Sequence, residues 1–167
     1  MFQTTLASAI IEKATRHIAA TGDKTALVFF YCDYKDDRTH EPDNIINSLV
    51  AQLVMYHEAA LEKLLDFYNE FQKPGHAAPN REQPSMVELF RNMSLDFHKV
   101  LIVIDGIDEC GRKVGAATIE MDSLNKDDAS RISTLFLSRH EHEIQHVLHA
   151  YHHIPIAARS EDLSLYV

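Results

Sequence analysis

Val100-Leu-Ile-Val-Ile-Asp-Gly-Ile-Asp-Glu-Cys110 decides the reading of this chain. Val100 to Ile104 is short, wholly apolar and mostly β-branched, and it ends abruptly in Asp105, Asp108 and Glu109. A run apolar on both faces suits a strand buried within a parallel sheet. Open α/β sheets bind ligands beyond the carboxyl ends of their strands, which is where these acids fall. Three carboxylates at one buried strand end repel one another without a cation.

Working outward, Leu6, Ile10, Ala14 and Ile18 recur every four residues and predict a helix ending before Thr21-Gly22. Ala26 to Cys32 reads as a second buried strand and Asp33 to Glu41 as a polar loop. Pro42-Asp43 opens a helical region with Ile46, Leu49, Val50, Leu53 and Val54 inward. Leu61, Leu64, Leu65, Tyr68 and Phe71 continue it beyond a break near His57. Lys73 to Pro84 is a Pro-rich, polar surface connection. Ser85 and Glu88 have capping-box spacing and start a helix to about Phe97. After the Val100 strand come a loop over Gly111 to Asp128, with a short helix around Ala116 to Met121, and a strand over Ile132 to Leu137. An amphipathic helix over Glu141 to Tyr151 and a last short strand over His153 to Ala157 follow. Helices alternating with buried strands predict a parallel α/β sheet with helices on both faces.

The totals narrow the function classes. At 167 residues, 46% hydrophobic and 25% charged, the chain suits one soluble domain. It has neither an 18-residue apolar run nor a recognisable signal peptide, which argues against a membrane span. A formal charge of −9 opposes general nucleic-acid binding, which needs a cationic surface. Cys32 and Cys110 are too few and too distant in sequence for a disulfide framework, so a reducing cytoplasmic setting is the expectation.

The acids after Ile104 form a Walker B pattern. In nucleotide sites of that kind the first carboxylate holds Mg²⁺, and a further acid orients or deprotonates the attacking water. Asp105 suits the first role, and Asp108 and Glu109 compete for the second. Ser138-Arg139, ending the next strand, is placed to contact a γ-phosphate.

In these segments the chain resembles the NACHT domain of STAND-class P-loop NTPases, and most closely the nephrocystin-like NACHT modules of fungal multidomain proteins. Thr4-Thr-Leu-Ala-Ser-Ala-Ile-Ile-Glu12 resembles the tail of the family's phosphate loop and its helix. Val28 to Asp33, Leu101 to Cys110, Thr134 to Arg139 and Ile156 to Val167 resemble successive later segments in the family's order. The resemblance implies a three-layer αβα sheet and a nucleotide-dependent switch using Mg-ATP. It implies Thr4 and Asp105 as Mg²⁺ ligands, Ser138 and Arg139 as further nucleotide contacts, and Asp108 and Glu109 as catalytic acids. It also implies protein partners or further flanking domains, with no particular oligomeric state.

Half of such a site is missing. A phosphate loop requires G-x-x-x-x-G-K-[ST] between a strand and a helix, and nothing in the chain fits. If Thr4 takes the Mg²⁺-binding hydroxyl position, Gln3 replaces the Lys and Phe2 the last Gly. The expectation over residues 1–167 is therefore one partial domain, truncated at both ends, with weak or absent ATP binding. Its sheet should lack the phosphate-loop strand, so the final strand must pair with the strand over Ile132 to Leu137, which resembles the family's sensor strand, or detach. Gly22-Asp-Lys-Thr25 imitates the motif but lies at a helix-to-strand turn, the wrong polarity.

A competing string is His142-Glu-Ile-Gln-His146, which matches H-E-x-x-H. Read as a zinc peptidase, it makes Glu143 the general base and His142, His146 and His152 the ligands. Helical geometry opposes this, because Ile144, Val147, Leu148 and Tyr151 form the inward stripe and His142, His146, His149 and His153 lie opposite. The favoured reading is a regulatory or interaction remnant of an NTPase core, inactive alone. The alternatives are a fragment of a longer ATP-hydrolysing switch and, third, the peptidase.

Overall fold

The computed structural model describes residues 2–71, 85–126 and 131–156. Three strands form a parallel sheet: β1 (Thr25–Tyr31), β2 (Lys99–Asp105) and β3 (Ile132–Leu137), in the order β1-β2-β3. The Val100 run is the central strand, paired on both sides, as its two-faced apolarity requires.

Helix α1 (Phe2–Thr21) covers one face of the sheet. Its four-residue repeat of Leu6, Ile10, Ala14 and Ile18, with Ala7, packs on Leu27, Val103 and Leu137. The other face carries the larger core, where α2 (Pro42–Val54), α4 (Met86–Ser94) and α5 (Val114–Ser123) meet Val28, Ile102 and Ile104. Helix α3 (Glu58–Phe71) packs outside α2 and α4. The short helix α6 (His142–Val147) rests on α5. Helices on both faces of a parallel sheet make an incomplete three-layer αβα architecture.

Local chemistry sets several boundaries. Ser85 accepts the Glu88 N–H while the Glu88 side chain accepts the Ser85 N–H, closing the expected capping box. The outer edge of β1 is covered by side chains from the α2 end. Gln52 brackets Phe29, accepting its N–H at 3.0 Å and donating to its carbonyl at 2.7 Å. Tyr56 does the same for Leu27, accepting at 3.3 Å and donating at 2.8 Å. These contacts replace a fourth strand and protect an otherwise open edge.

Several expected boundaries change. The helical region after Pro42 is two helices, parted at residues 55–57. The helix from Ser85 stops at Ser94, and a turn follows whose Leu95 and Phe97 carbonyls accept from Arg131. The helix expected through Tyr151 stops at Val147. There His149 bonds the His146 carbonyl and His153 the Leu148 carbonyl, so imidazoles take over acceptors at the helix end. The final strand is not formed over residues 153–156, where Ile154 and Ile156 are exposed and unpaired with the sheet. Residues 153–156 therefore do not pair with β3, which agrees with the second of the two expected outcomes. The expected connection over Lys73 to Pro84 lies outside the described residues, as does Ala157 onward.

Candidate functional site

The parallel register sets Tyr31 beside Asp105 and Asp105 beside Leu137, bringing all three strands to an end at one level. Two further backbone bonds bind the emerging loops together: Cys32 N–H to Asp105 O and Gly106 N–H to Leu137 O, both 2.9 Å. Gly106 then turns the chain with a left-handed φ of 73°. A 3-10 turn over Ile107–Lys113 begins there, with Glu109 N–H bonded to Gly106 O at 2.7 Å. This sharp turn keeps Asp108 and Glu109 at the strand end instead of carrying them away.

Asp105 is buried, and Thr4 of α1 hydrogen-bonds its carboxyl from the opposite layer. Oδ1 of Asp105 is buried without a hydrogen-bond partner among the described residues. Burial pushes the carboxyl above the usual carboxylate range; the Thr4 hydroxyl pulls it partly back, and Glu109 and Asp108 push it further up. Ionised Asp105 therefore destabilises the fold. A raised folded-state pKa gives stability that is complete below the ordinary value of 3.8 and is lost as pH rises through the folded value. Asp105→Asn should accordingly stabilise the metal-free protein at neutral pH by about 1 kcal/mol, or about 2–4 °C in Tm. The gain should vanish as pH falls below 3.8, where both carboxyl states are protonated. Paired melts in chelator across pH 3–7, showing no gain at pH 7, would contradict the burial argument.

Asp108 and Glu109 are treated differently, because Arg139 closes on both. Its backbone N–H reaches Asp108 Oδ1 at 3.2 Å, its Nε lies 3.4 Å from Asp108 Oδ2, and an Nη lies 3.4 Å from Glu109 Oε1. The Asp108 side chain is only 2% exposed, whereas Arg139 is 68% exposed and reaches in from the rim. Glu109 also accepts the Tyr34 N–H at 3.2 Å, which joins the loop after β1 to the acidic turn.

The structure thus brings together Thr4 with Asp105, and Asp108 and Glu109 with Arg139. Ser138 shares this end as the residue between Leu137 and Arg139. Tyr34 and Gly106 also belong to the site, although sequence patterning did not single them out. Gly106 carried the only available signal, a glycine between a buried strand and two acids. The Cys32 and Cys110 sulfurs, distant in sequence, come within 3.5 Å below the same loops.

These residues fit one part of a Mg-nucleotide site. A buried carboxylate with an orphaned oxygen and an adjacent hydroxyl suits Mg²⁺, which takes few protein ligands and keeps several waters. The phosphate part has no counterpart in the sequence. Gly22-Asp-Lys-Thr25 lies where α1 turns into β1, at the opposite end of the sheet from Asp105.

The zinc alternative fails on geometry. His142 and His146 are exposed while Ile144 and Leu148 are buried, and α6 ends before His149, His152 and His153. The Glu143 carboxylate faces Gly115 of α5, where a Cβ would stand 3.0 Å away. Among the described residues, no three His, Cys, Asp or Glu side chains converge on a metal position.

Comparison with known proteins supplies one match. No curated protein and no solved structure matches the chain. The profile of the family described as nephrocystin 3, N-terminal, matches residues 3–139. That span opens beside Thr4, contains all three strands and closes on Arg139. With most of its length matched, the chain belongs to the nephrocystin 3 N-terminal family.

Proposed function

We propose that this chain is a NACHT-like NTPase core that works as a regulatory or interaction module and does not turn over ATP by itself. The observation supporting this is the clamp of Arg139 on Asp108 and Glu109. An arginine serving a γ-phosphate and an acid serving a water molecule must be free to reach them. Here the two acids and the arginine satisfy one another. Asp105 and Thr4 are the residues that would hold Mg²⁺, which supplies charge neutralisation for bound phosphates. Residues 1–167 contain no G-x-x-x-x-G-K-[ST], the motif whose N–H cradle and lysine furnish much of a phosphate loop's grip.

Protein partners and a cytoplasmic setting accompany this reading. No helix among the described residues is long and apolar enough to cross a membrane.

The test is titration of a fluorescent ATP analogue with and without Mg²⁺. The expected result is no saturable binding below about 1 mM, a threshold equivalent to about −4 kcal/mol. Micromolar, Mg²⁺-dependent binding would overturn the proposal. The placement of Thr4 on Asp105 favours one second reading, a longer product whose phosphate loop precedes Thr4. Transcript-start mapping with intact-protein mass distinguishes it, since an upstream Gly-rich loop would shift the weight to an active switch.

A further inference from the structure

The pair Cys32 and Cys110 is unused by any nucleotide reading. Cys32 follows β1 directly, and Cys110 lies in the 3-10 turn after β2. Both are buried free thiols, and their sulfurs are 3.5 Å apart. The segments carrying them are already joined near the sulfurs. Tyr34 N–H bonds Glu109, and Lys113 pairs with Glu41. A bond between the sulfurs would make covalent a contact the fold already makes.

The acidic turn also has a means of exposing its sulfur. Ile107 to Cys110 lies between Gly106 and Gly111, both at positive φ, and Gly111 breaks the helical geometry of the turn. Local opening between the two glycines, with release of the Arg139 contacts to Asp108 and Glu109, brings the Cys110 sulfur to solvent.

We propose that Cys32 and Cys110 are a modification site, an oxidisable dithiol that a small organic disulfide converts to an intramolecular disulfide. The Cys110 thiolate attacks one sulfur of the small disulfide RSSR, breaking its S–S bond and releasing RS⁻, which takes up a proton as RSH. Cys32, losing its proton to solvent, then attacks the Cys110 sulfur of the mixed disulfide and expels the second RS⁻, which is protonated in turn. Two protein thiols are oxidised to one disulfide, and RSSR is reduced to two RSH. Cys110 attacks first because it lies on the turn bounded by Gly106 and Gly111, the segment whose opening brings a sulfur to the reagent, whereas Cys32 follows β1 directly. The product pins the loop after β1 to the turn bearing Asp108 and Glu109.

The experiment incubates the full chain with oxidised glutathione, quenches with an alkylating reagent and measures intact mass and peptide linkage. The expected product has lost the mass of two hydrogens, retains no glutathione and yields a peptide joining Cys32 to Cys110. Cys32→Ser should stop at a glutathione adduct on Cys110. Should that variant fail to fold, the wild-type linkage map alone decides. Two free thiols in the folded chain, at a poise that closes the bond in the urea-unfolded chain, would overturn the proposal. So would a stable wild-type glutathione adduct.

Discussion

Gly106→Val is expected to cost about 3–4 kcal/mol of folding free energy and to lower Tm by about 10 °C. Two independent terms add. At φ 73° and ψ 30°, Gly106 occupies left-handed space that β-branched residues strongly resist. A Cβ there would also stand 3.0 Å from the Cys32 carbonyl oxygen. That oxygen belongs to a backbone already fixed by the Cys32 N–H bond to Asp105, so it cannot retreat cheaply. Gly106→Asn separates the terms, because Asn tolerates left-handed backbone but keeps the collision. It should lose about half as much as Val. Urea unfolding of the three proteins measures the series. A loss below about 1 kcal/mol for Val would mean the turn re-forms without its left-handed residue.

The same glycine marks how far the sequence could be read. The buried parallel strand was legible from Val100 to Ile104, because a run apolar on both faces has few other places in a fold. The face of α1 was legible from its four-residue repeat, and the start of α4 from Ser85 and Glu88. These signals are local, and each is satisfied within one element or by one neighbouring layer. The helix after Glu141 was overextended because the apolar stripe continues through Leu148 and Tyr151, whereas the backbone ends where histidine side chains take its carbonyls. The strand expected over 153–157 has the right composition, but a strand needs a neighbour, and composition does not supply one. At the site, residue types were legible and their pairing was not. Sequence set Asp105 apart as the Mg²⁺ carboxylate and left Asp108 and Glu109 competing for one role. Burial and Arg139 divide the three acids into one lone carboxyl and one clamped pair. The approach of Cys32 to Cys110 depends on the register of β1 against β2, which is a property of the folded sheet.

Arg139→Glu should destabilise the nucleotide-free chain by about 2–3 kcal/mol, with Arg139→Ala losing about 1–2. Removing the guanidinium leaves the buried Asp108 carboxylate with the residue-139 backbone N–H as its contact from the end of β3. Breaking a fully buried ion pair typically costs about 3–5 kcal/mol, but Arg139 is 68% exposed, and solvent screening reduces that figure. Glutamate adds repulsion to the loss, placing a further carboxylate against Asp108 and Glu109. Arg139→Lys retains the charge but not the planar fork that spans two acids, and should fall between wild type and Ala. Added salt should recover part of the difference between Glu and Ala, since screening acts on repulsion, and little of the difference between Ala and wild type. Urea unfolding at two ionic strengths tests each step. The result bears on function because an arginine kept only for a phosphate contributes little to the empty protein. One that locks Asp108 and Glu109 is part of the fold before any ligand arrives. Unchanged stability in all three variants would return Arg139 to the role of a free sensor and remove the main support for a non-catalytic core.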